Sequence, residues 1–241
     1  MTREQVYGRR PVREALRGPR EVLELWATER ALGAEAWLRD TPGIRLHVKP
    51  ERALTAEAGT ADHQGALAWC EPCRYADAFE LAERDDALLV CLDGVTDPHN
   101  LGAVCRSAEC SGASGVVLPA HRAARVTPAV CRASAGAVEH LPVAIVTNLA
   151  SWIRELRQPG LWFWAATAEA DLPMWDADLT GSIALVLGAE DKGLRPLVRR
   201  SCDNQVRIPL AGRIESLNVS VAAALLAYEA RRQRTLEPAR G

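Results

Sequence analysis

The sequence predicts an α/β protein in which a small N-terminal α/β domain precedes a larger, doubly wound domain with a parallel sheet. Continuous apolar runs such as ALLVCLDG, residues 87–94, are typical of parallel strands that are buried on both faces. These runs alternate with segments of helical periodicity, which favours a sheet covered by helices. The 241 residues are 48% hydrophobic and 25% charged, enough for two modest domains with sizeable cores.

The first 73 residues mix short strand and helix patterns and are expected to form the small domain. Its predicted elements, in chain order, are helix 11–18, strand 21–28, strand 44–50, helix 51–59 and strand 65–70. Residues 74–86 are polar and end in acidic side chains, so we expect a linker or a connecting helix there. The larger domain is then expected to span 87–241.

Strands and helices alternate regularly in this second part. The predicted strands are 87–94, 114–119, 142–146, 161–167, 182–188 and 206–210. The predicted helices are 100–111, 127–141, 148–158, 194–202 and 218–232. Ligands of open α/β sheets bind at the carboxyl ends of the strands, so polar residues that follow these strands are the candidate site.

Cysteine content, the N-terminal sequence and the distribution of charge indicate the compartment and the ligands expected for this protein. The seven cysteines are odd in number and scattered, which fits a reducing cytosol better than a disulfide framework. The N-terminus has no apolar signal core and no segment reaches membrane-span length, so we expect a cytoplasmic protein without a membrane partner. The net charge is −2, but residues 192–213 hold six basic side chains against one acidic. Such local basic surface favours phosphate binding or forms an ordinary solvated face.

Several common sites are not predicted. The sequence has no G-x-G-x-x-G after a strand, no phosphate-binding G-x-x-x-x-G-K-[ST] and no G-x-S-x-G nucleophile motif. Cys70 and Cys73 have a metal-like gap near His63, but no second pair follows, so no metal is expected. His99 could serve as a general base, but a lone histidine in a loop is more often structural.

Three polar segments remain, each following a predicted strand. The first, 92–119, carries Asn100 at a helix start and Arg106 six residues later. The second, 185–209, carries Gly188 and Glu190 directly after a strand. The third begins at residue 214, where Glu-Ser-Leu-Asn leads into an apolar helix; an N-cap or a ligand site would each explain Ser216 and Asn218.

Together these segments resemble the three motifs of the SpoU, or TrmH-like, family of RNA 2'-O-ribose methyltransferases. The stretches that match are DPHNLGAVCRSA, LGAEDKGL and IPLAGRIESLNVSVAAALLAYEARRQR, in the order of the family. VYGRRPVREAL near the start and HQGA at 63–66 resemble the L30e-like RNA-binding domain of the branch that methylates a guanosine of 23S ribosomal RNA. The resemblance therefore implies methyl transfer from S-adenosylmethionine to a ribose 2'-hydroxyl in 23S RNA or a ribosomal precursor. It does not suggest a DNA partner.

The resemblance also implies a SPOUT fold, whose C-terminal segment forms a trefoil knot around the cofactor. The cofactor-binding positions carried over are Thr167, Gly188, Ile208, Pro209, Leu217 and Asn218. The catalytic positions carried over are Asn100, Arg106, Glu190, Ser216 and Asn218.

The matching arginine has been proposed as the base in the family. Because an arginine is normally only a donor, we expect Arg106 instead to contact phosphate and stabilise the developing alkoxide. The family also implies a homodimer through the last helix, with its apolar residues Ala222, Ala223, Ala224, Leu225 and Leu226. RNA selection is expected from residues 1–73 through Arg9, Arg10, Arg13 and Tyr7. Two alternatives stay open: a transfer-RNA ribose methyltransferase and a non-catalytic RNA-binding assembly factor.

Overall fold

The computed structural model describes residues 3–156, 160–190 and 192–236. It divides into two compact units. The first comprises Met1–Arg74 and Val126–His140, and the second comprises Tyr75–Arg125 and Leu141–Gly241. Within the described ranges, no helix combines the length and the apolar character that a membrane crossing requires.

The strands and helices alternate along most of the chain. The strands of the described residues are β1 (Glu4–Tyr7), β2 (Val22–Ala27), β3 (Arg45–Val48), β4 (Ala66–Cys70), β5 (Leu88–Asp93), β6 (Gly115–Pro119), β7 (Val143–Val146), β8 (Leu161–Ala166), β9 (Ser182–Gly188) and β10 (Asn204–Val206). The α-helices are α1 (Arg9–Ala15), α2 (Glu29–Ala34), α3 (Glu51–Ala58), α4 (Ala78–Ala82), α5 (Pro98–Ser111), α6 (Pro128–Ala133), α7 (Leu149–Glu155), α8 (Pro196–Ser201) and α9 (Val219–Leu236). Short 3-10 helices cover Ala36–Leu38 and Ala137–Glu139.

The first unit is built on a four-stranded mixed sheet with the order β1-β4-β2-β3. Strand β4 pairs antiparallel with both β1 and β2, whereas β2 and β3 are parallel. Leu54 of α3 and Leu67 of β4 are fully buried and pack with Trp69 in the core of this sheet. The prediction of a small α/β unit at the N-terminus is confirmed. Strand β1 and helix α2 were not predicted, because four and six residues are too few to show a periodic pattern.

The second unit contains a six-stranded sheet with the order β10-β8-β9-β5-β6-β7, and every pair in it is parallel. Apolar runs were expected to be buried on both faces, and all six residues of β5 are buried. Phe163 of β8 is fully buried and packs edge-to-face on Trp152 of α7, with ring centroids 5.6 Å apart. The predicted parallel α/β architecture is therefore confirmed.

One predicted helix, 127–141, is wrong in its length. Helix α6 ends at Ala133, and a separate 3-10 turn follows at Ala137–Glu139. Between them, Ala135 and Gly136 have φ values of 54° and 89°. Left-handed backbone cannot continue a right-handed helix, so the chain must break there.

The predicted strand 206–210 is also wrong, because β10 ends at Val206, before Ile208 and Pro209. The N–H of Arg207 donates to the carbonyl of Leu172 at 2.9 Å, and its carbonyl accepts from the N–H of Met174 at 2.8 Å. Arg207 therefore pairs with the segment after β8 instead of extending the edge of the sheet.

A buried ion pair ties together the two chain segments of the first unit. The side chains of Arg20 and Glu139 are only 8% and 3% exposed. Arg20 donates through Nε to Glu139 Oε2 at 3.0 Å and through Nη1 to Glu4 Oε2 at 3.4 Å. A second bond joins Nη2 to Glu139 Oε1. Losing either member of such a pair leaves an uncompensated buried charge.

We therefore expect Arg20→Met to lower the free energy of unfolding by about 3–5 kcal/mol, as measured by urea denaturation. Arg74→Met is the matched control, because Arg74 pairs with Glu71 at 3.0 Å while 87% exposed. Such a surface pair contributes at most about 1 kcal/mol. Equal losses in the two variants would contradict the assigned role of burial. The double variant Arg20→Met/Glu139→Leu is expected to recover part of the loss, because it removes both charges.

Candidate functional site

The carboxyl ends of β5 and β9 lie side by side in the second unit. Asp93, the last residue of β5, is in register with Gly188, the last residue of β9. The segments that follow these two strands hold three of the five predicted catalytic residues, namely Asn100 and Arg106 on α5 and Glu190 in the loop after β9. This edge of the sheet is therefore where polar side chains converge.

Gly188 occupies a position that no other residue fits without movement. A Cβ built there would lie 2.1 Å from the carbonyl carbon of Gly193 and 2.3 Å from the nitrogen of Leu194. The loop folds back in this way because the N–H of Gly193 donates to the carbonyl of Ala189 at 2.8 Å. Gly193 itself has a φ of 59°, which glycine adopts readily.

Asp93, at the end of β5, holds the loop after β9 in place through hydrogen bonds. Its side chain is fully buried; Oδ2 accepts the N–H of Arg195 at 2.9 Å, and Oδ1 accepts Arg195 Nε at 2.7 Å. The carbonyl of Asp93 also accepts the N–H of Ala189 at 3.1 Å. Both ends of the loop after β9 are thus held to the end of β5. Asp93 and Arg195 were not predicted as site residues, although an acidic residue at the end of an apolar run was a signal for Asp93.

Two helices begin at this edge of the sheet. Asp97 caps α5 by accepting the N–H of His99 at 2.9 Å, which places Asn100 in the first turn. Asn218 precedes α9, and its Oδ1 accepts the N–H of Ser220 at 2.9 Å. This bond is the N-cap that the sequence suggested as one explanation of Asn218.

The side chains of Asn100, Glu190 and Asn218 form a closed hydrogen-bonded cluster. Asn100 Nδ2 donates to Glu190 Oε1 at 3.0 Å, and Asn218 Nδ2 donates to Asn100 Oδ1 at 2.9 Å. Asn218 Nδ2 also donates to Glu190 Oε1, which in addition accepts the N–H of Val219 at 3.3 Å. Asn218 therefore caps a helix through its oxygen and joins the cluster through its nitrogen. Residues 118 positions apart in the chain meet here.

Arg106 and Ser216 do not join this cluster. Arg106 is exposed on α5, and its guanidinium has no hydrogen bond or ion pair with any residue that the structure describes. Ser216 is exposed in the segment before α9, and it has no described hydrogen-bond partner either. An exposed, unpaired guanidinium keeps its five donors available for an anionic ligand.

The positions expected to hold the cofactor surround the same edge of the sheet. Thr167 follows β8, and its N–H donates to the carbonyl of Val206 at 3.0 Å. Ile208, Pro209 and Leu217 are half-buried in the irregular segment between β10 and α9. In the described part of the chain, residues 208–217 form no backbone–backbone hydrogen bonds. Residues 210–216 are exposed, so their backbone donors and acceptors are open to water or to a ligand such as S-adenosylmethionine.

The cysteines near His63 lie in the first unit. Burial raises the pKa of Cys70 to about 12 and that of Cys73 to about 11. His63 is fully buried, and its two ring nitrogens are occupied by the N–H of Gly65 and by Thr55 Oγ1. Among the described residues, no three side chains of the metal-binding types converge.

Two family models match the chain. The model described as "SpoU rRNA Methylase family" matches residues 87–228, which is more than half of the chain. The model described as "RNA 2'-O ribose methyltransferase substrate binding" matches residues 5–76. All members of the Asn100–Glu190–Asn218 cluster lie within the first match.

Relatives and solved structures agree with these matches. The 23S rRNA (guanosine-2'-O-)-methyltransferase RlmB of Pseudomonas syringae is 39% identical over 249 residues, 96% of each chain. RlmB of Vibrio cholerae is 42% identical over 196 residues, which cover 80% of this chain and 79% of the relative. The SpoU methyltransferase AviRb of Streptomyces viridochromogenes, solved with AdoMet, is 28% identical with a TM-score of 0.83; the alignment covers 98% of this chain and 92% of that one.

Proposed function

The chain belongs to the SpoU rRNA methylase family, and we propose that it transfers a methyl group from S-adenosylmethionine to the ribose 2'-hydroxyl of one guanosine in 23S ribosomal RNA. The observation that carries this proposal is the Asn100–Glu190–Asn218 cluster, at the carboxyl ends of parallel strands and beside a backbone segment with free polar groups. The RlmB relatives supply the choice of RNA and nucleoside.

The residues of this chain have to orient the ribose and stabilise charge. The bound sulfonium supplies both the methyl group and its leaving group. The hydroxyl oxygen carries negative charge as its proton passes to solvent water, and this charge is neutralised when the new C–O bond forms and the C–S bond breaks. Arg106, whose guanidinium is unpaired, donates hydrogen bonds to that oxygen and to the adjacent phosphate. Because an arginine has no acceptor, it does not take the proton.

The cluster positions these groups instead of reacting itself. Glu190 accepts hydrogen bonds from Asn100, from Asn218 and from the N–H of Val219. These bonds fix the positions of the starts of α5 and α9 relative to the loop after β9. Holding reactants in an aligned geometry can lower a barrier by up to about 7–11 kcal/mol. Ser216 is exposed and precedes Asn218 by two residues. We propose that it contacts the bound substrate.

The cofactor is proposed to bind among Thr167, Gly188, Ile208, Pro209 and Leu217, within a trefoil knot. The course of the chain supports this. After the edge strand β10, residues 207–218 lead back to α9, which packs on α5 and against β9 and β5. The close approach of backbone at Gly188 supports a pocket that is shaped by main chain.

The first unit is proposed to bind the RNA. Residues 5–76 match the substrate-binding model of these methyltransferases, which supports residues 1–73 as the RNA-binding domain. In the predicted linker, 74–86, Ala78, Leu81 and Ala82 of α4 pack in a hydrophobic core of the second unit. Arg10 and Arg13 are exposed on α1, whereas Arg9 and Tyr7 are half-buried. Exposed arginines on this helix suit phosphate contacts.

A homodimer is proposed to form through α9. Ala223 and Leu226, two of the apolar residues expected in the interface, are buried within the unit. Val221, Leu225 and Tyr228 are exposed apolar residues of α9, at 45%, 41% and 50%. Their spacing of four and three residues puts them on one face of the helix, which suits contact with a second copy.

The position of Arg106 on α5 also supports a homodimer. It lies six residues after Asn100 on α5, which corresponds to a rotation of about 240° around the helix. The two side chains therefore do not share one face. Arg106 is proposed to complete the site of the second copy.

Leu225→Glu is expected to convert the dimer to a monomer at micromolar concentration, because it places a charge in the apolar stripe. Light scattering measures the mass directly. Val48→Glu is the control, since Val48 is 49% exposed on β3 of the first unit. A wild-type protein that is already monomeric at this concentration would refute the proposed dimer.

The activity is tested with tritiated S-adenosylmethionine and a 23S ribosomal RNA transcript, with transfer RNA in parallel. We expect label on the ribose of one 23S guanosine. Label on transfer RNA instead would keep the methyl transfer but overturn the proposed substrate. A protein that binds RNA but shows no saturable binding of S-adenosylmethionine would be an assembly factor and not an enzyme.

A further inference from the structure

A rigid turn in the first unit is formed by His63, Gln64 and Gly65. His63 Nδ1 accepts the N–H of Gly65 at 3.0 Å, and Nε2 is hydrogen-bonded to Thr55 Oγ1 at 2.9 Å. Gly65 has a φ of 78°, and a Cβ there would lie 2.5 Å from Thr28 Oγ1. The burial of His63 and the close approach of Gly65 to Thr28 restrict the conformation of this turn.

Gln64 is held by the turn in an unusual conformation. Its φ is 55°, which is uncommon for a residue other than glycine, and such residues cluster at functional sites. Gln64 Oε1 accepts the N–H of Arg9 at 3.2 Å, and the carbonyl of Gln64 accepts Arg9 Nε at 3.0 Å. The amide group is thereby oriented. Its Nε2 has no acceptor among the residues that the structure describes, so two donors stay available.

Gln64 lines a pocket of about 280 Å³ whose walls carry both donors and an acceptor. The lining residues are Arg9, Thr28, Arg30, Glu51, Gln64 and Gly65. Arg30 is exposed, and its guanidinium has no hydrogen bond or ion pair within the described ranges. The side chain of Glu51 is 64% exposed, and its Oε1 lies 3.9 Å from His63 Nε2, which is beyond hydrogen-bond distance, so the carboxylate is open to a ligand.

We propose that this pocket binds one unpaired guanine nucleotide of the RNA, other than the nucleotide that is methylated. This inference rests on the proposed function, because it takes RNA as the substrate. Guanine offers N1–H and N2–H side by side, which a carboxylate such as that of Glu51 accepts as a pair. Its O6 and N7 accept hydrogen bonds, which Gln64 Nε2 and Arg9 Nη2 can donate. The other guanidinium nitrogens of Arg9 pair with Glu35 Oε1 and with the carbonyl of Gln64. Arg30 is left for the phosphate.

The same groups disfavour other ligands. Adenine has no adjacent pair of ring and amino donors for the carboxylate. A bare phosphate would be repelled by Glu51, which lines the pocket. Unpaired bases in loops and bulges are the parts of RNA that proteins read by sequence, which matches a pocket of this size.

The test is a guanine footprint on the 23S transcript with kethoxal, which modifies N1 and N2 of unpaired guanines. The wild-type protein is expected to protect one unpaired guanine besides the methylated nucleotide. Glu51→Gln and Gln64→Ala are expected to lose that protection and to raise the Kd for the transcript about tenfold, the effect of one lost base contact. Arg30→Ala is expected to raise the Kd and to weaken, but not abolish, the protection of the same guanine.

Arg39→Ala is the matched control, because Arg39 is an exposed arginine of the same unit that does not line the pocket. Each variant should bind S-adenosylmethionine as the wild type does, which shows that it is folded. Unchanged protection in Glu51→Gln and Gln64→Ala, or no second protected guanine, would overturn the inference even if the transcript is methylated. Conversely, a pocket-dependent footprint without methyl transfer would leave the inference standing and refute the proposed activity.

Discussion

Arg106→Lys is expected to lower kcat for methyl transfer about 100-fold while leaving the affinity for S-adenosylmethionine unchanged. The substitution keeps the positive charge but loses the planar fork, which can donate to an alkoxide and a phosphate at once. Removing one donor to a developing oxyanion typically costs about 100- to 1000-fold. Single-turnover rates on the 23S transcript, with cofactor binding measured separately, give the two quantities.

Arg84→Lys is the control for this experiment. Arg84 is an exposed arginine of the same unit, and it donates to the carbonyl of Ser114 at 3.4 Å, before β6 begins. That bond lies at the amino ends of the strands, opposite the edge that carries the cluster. A near-normal rate in Arg106→Lys would show that charge alone suffices and would refute the role proposed for the guanidinium.

Gly188→Ala is expected to remove most of the affinity for S-adenosylmethionine. The added Cβ would lie within 2.1–2.3 Å of backbone atoms of Gly193 and Leu194, so the loop after β9 must move. Overpacking of this kind typically costs about 1–3 kcal/mol. When this free energy is lost from the cofactor-bound form, the Kd for S-adenosylmethionine rises about 5- to 150-fold. Calorimetric titration measures it.

Gly33→Ala provides the matched control. A Cβ at Gly33 meets nothing within 4 Å, and the residue lies within α2. In a helix, alanine is favoured over glycine by about 0.5–1 kcal/mol, so this variant should be slightly stabilised and should bind the cofactor normally. An unchanged cofactor Kd in Gly188→Ala would remove Gly188 from the binding site.

The sequence by itself determined the class of the fold and singled out the three residues of the hydrogen-bonded cluster. Strands such as 87–94 were predictable because parallel strands buried on both faces must be apolar throughout. Asn100, Glu190 and Asn218 were predictable because they follow such strands within recognisable motifs, and the structure brings all three together. Arg106 and Ser216 were singled out by the same motifs, but their roles stay predictions.

Only the tertiary structure decided where several elements end and which distant residues pair. Strand β10 stops at Val206 because Arg207 bonds to Leu172 and Met174, a partner that no local pattern reveals. Arg20 meets Glu139 across 119 residues, and Asp93 meets Arg195 across 102. Local periodicity reports which side of an element is buried. It carries no information about which charged group of a remote segment arrives there, and that pairing decides both the stability of the first unit and the shape of the loop at the site.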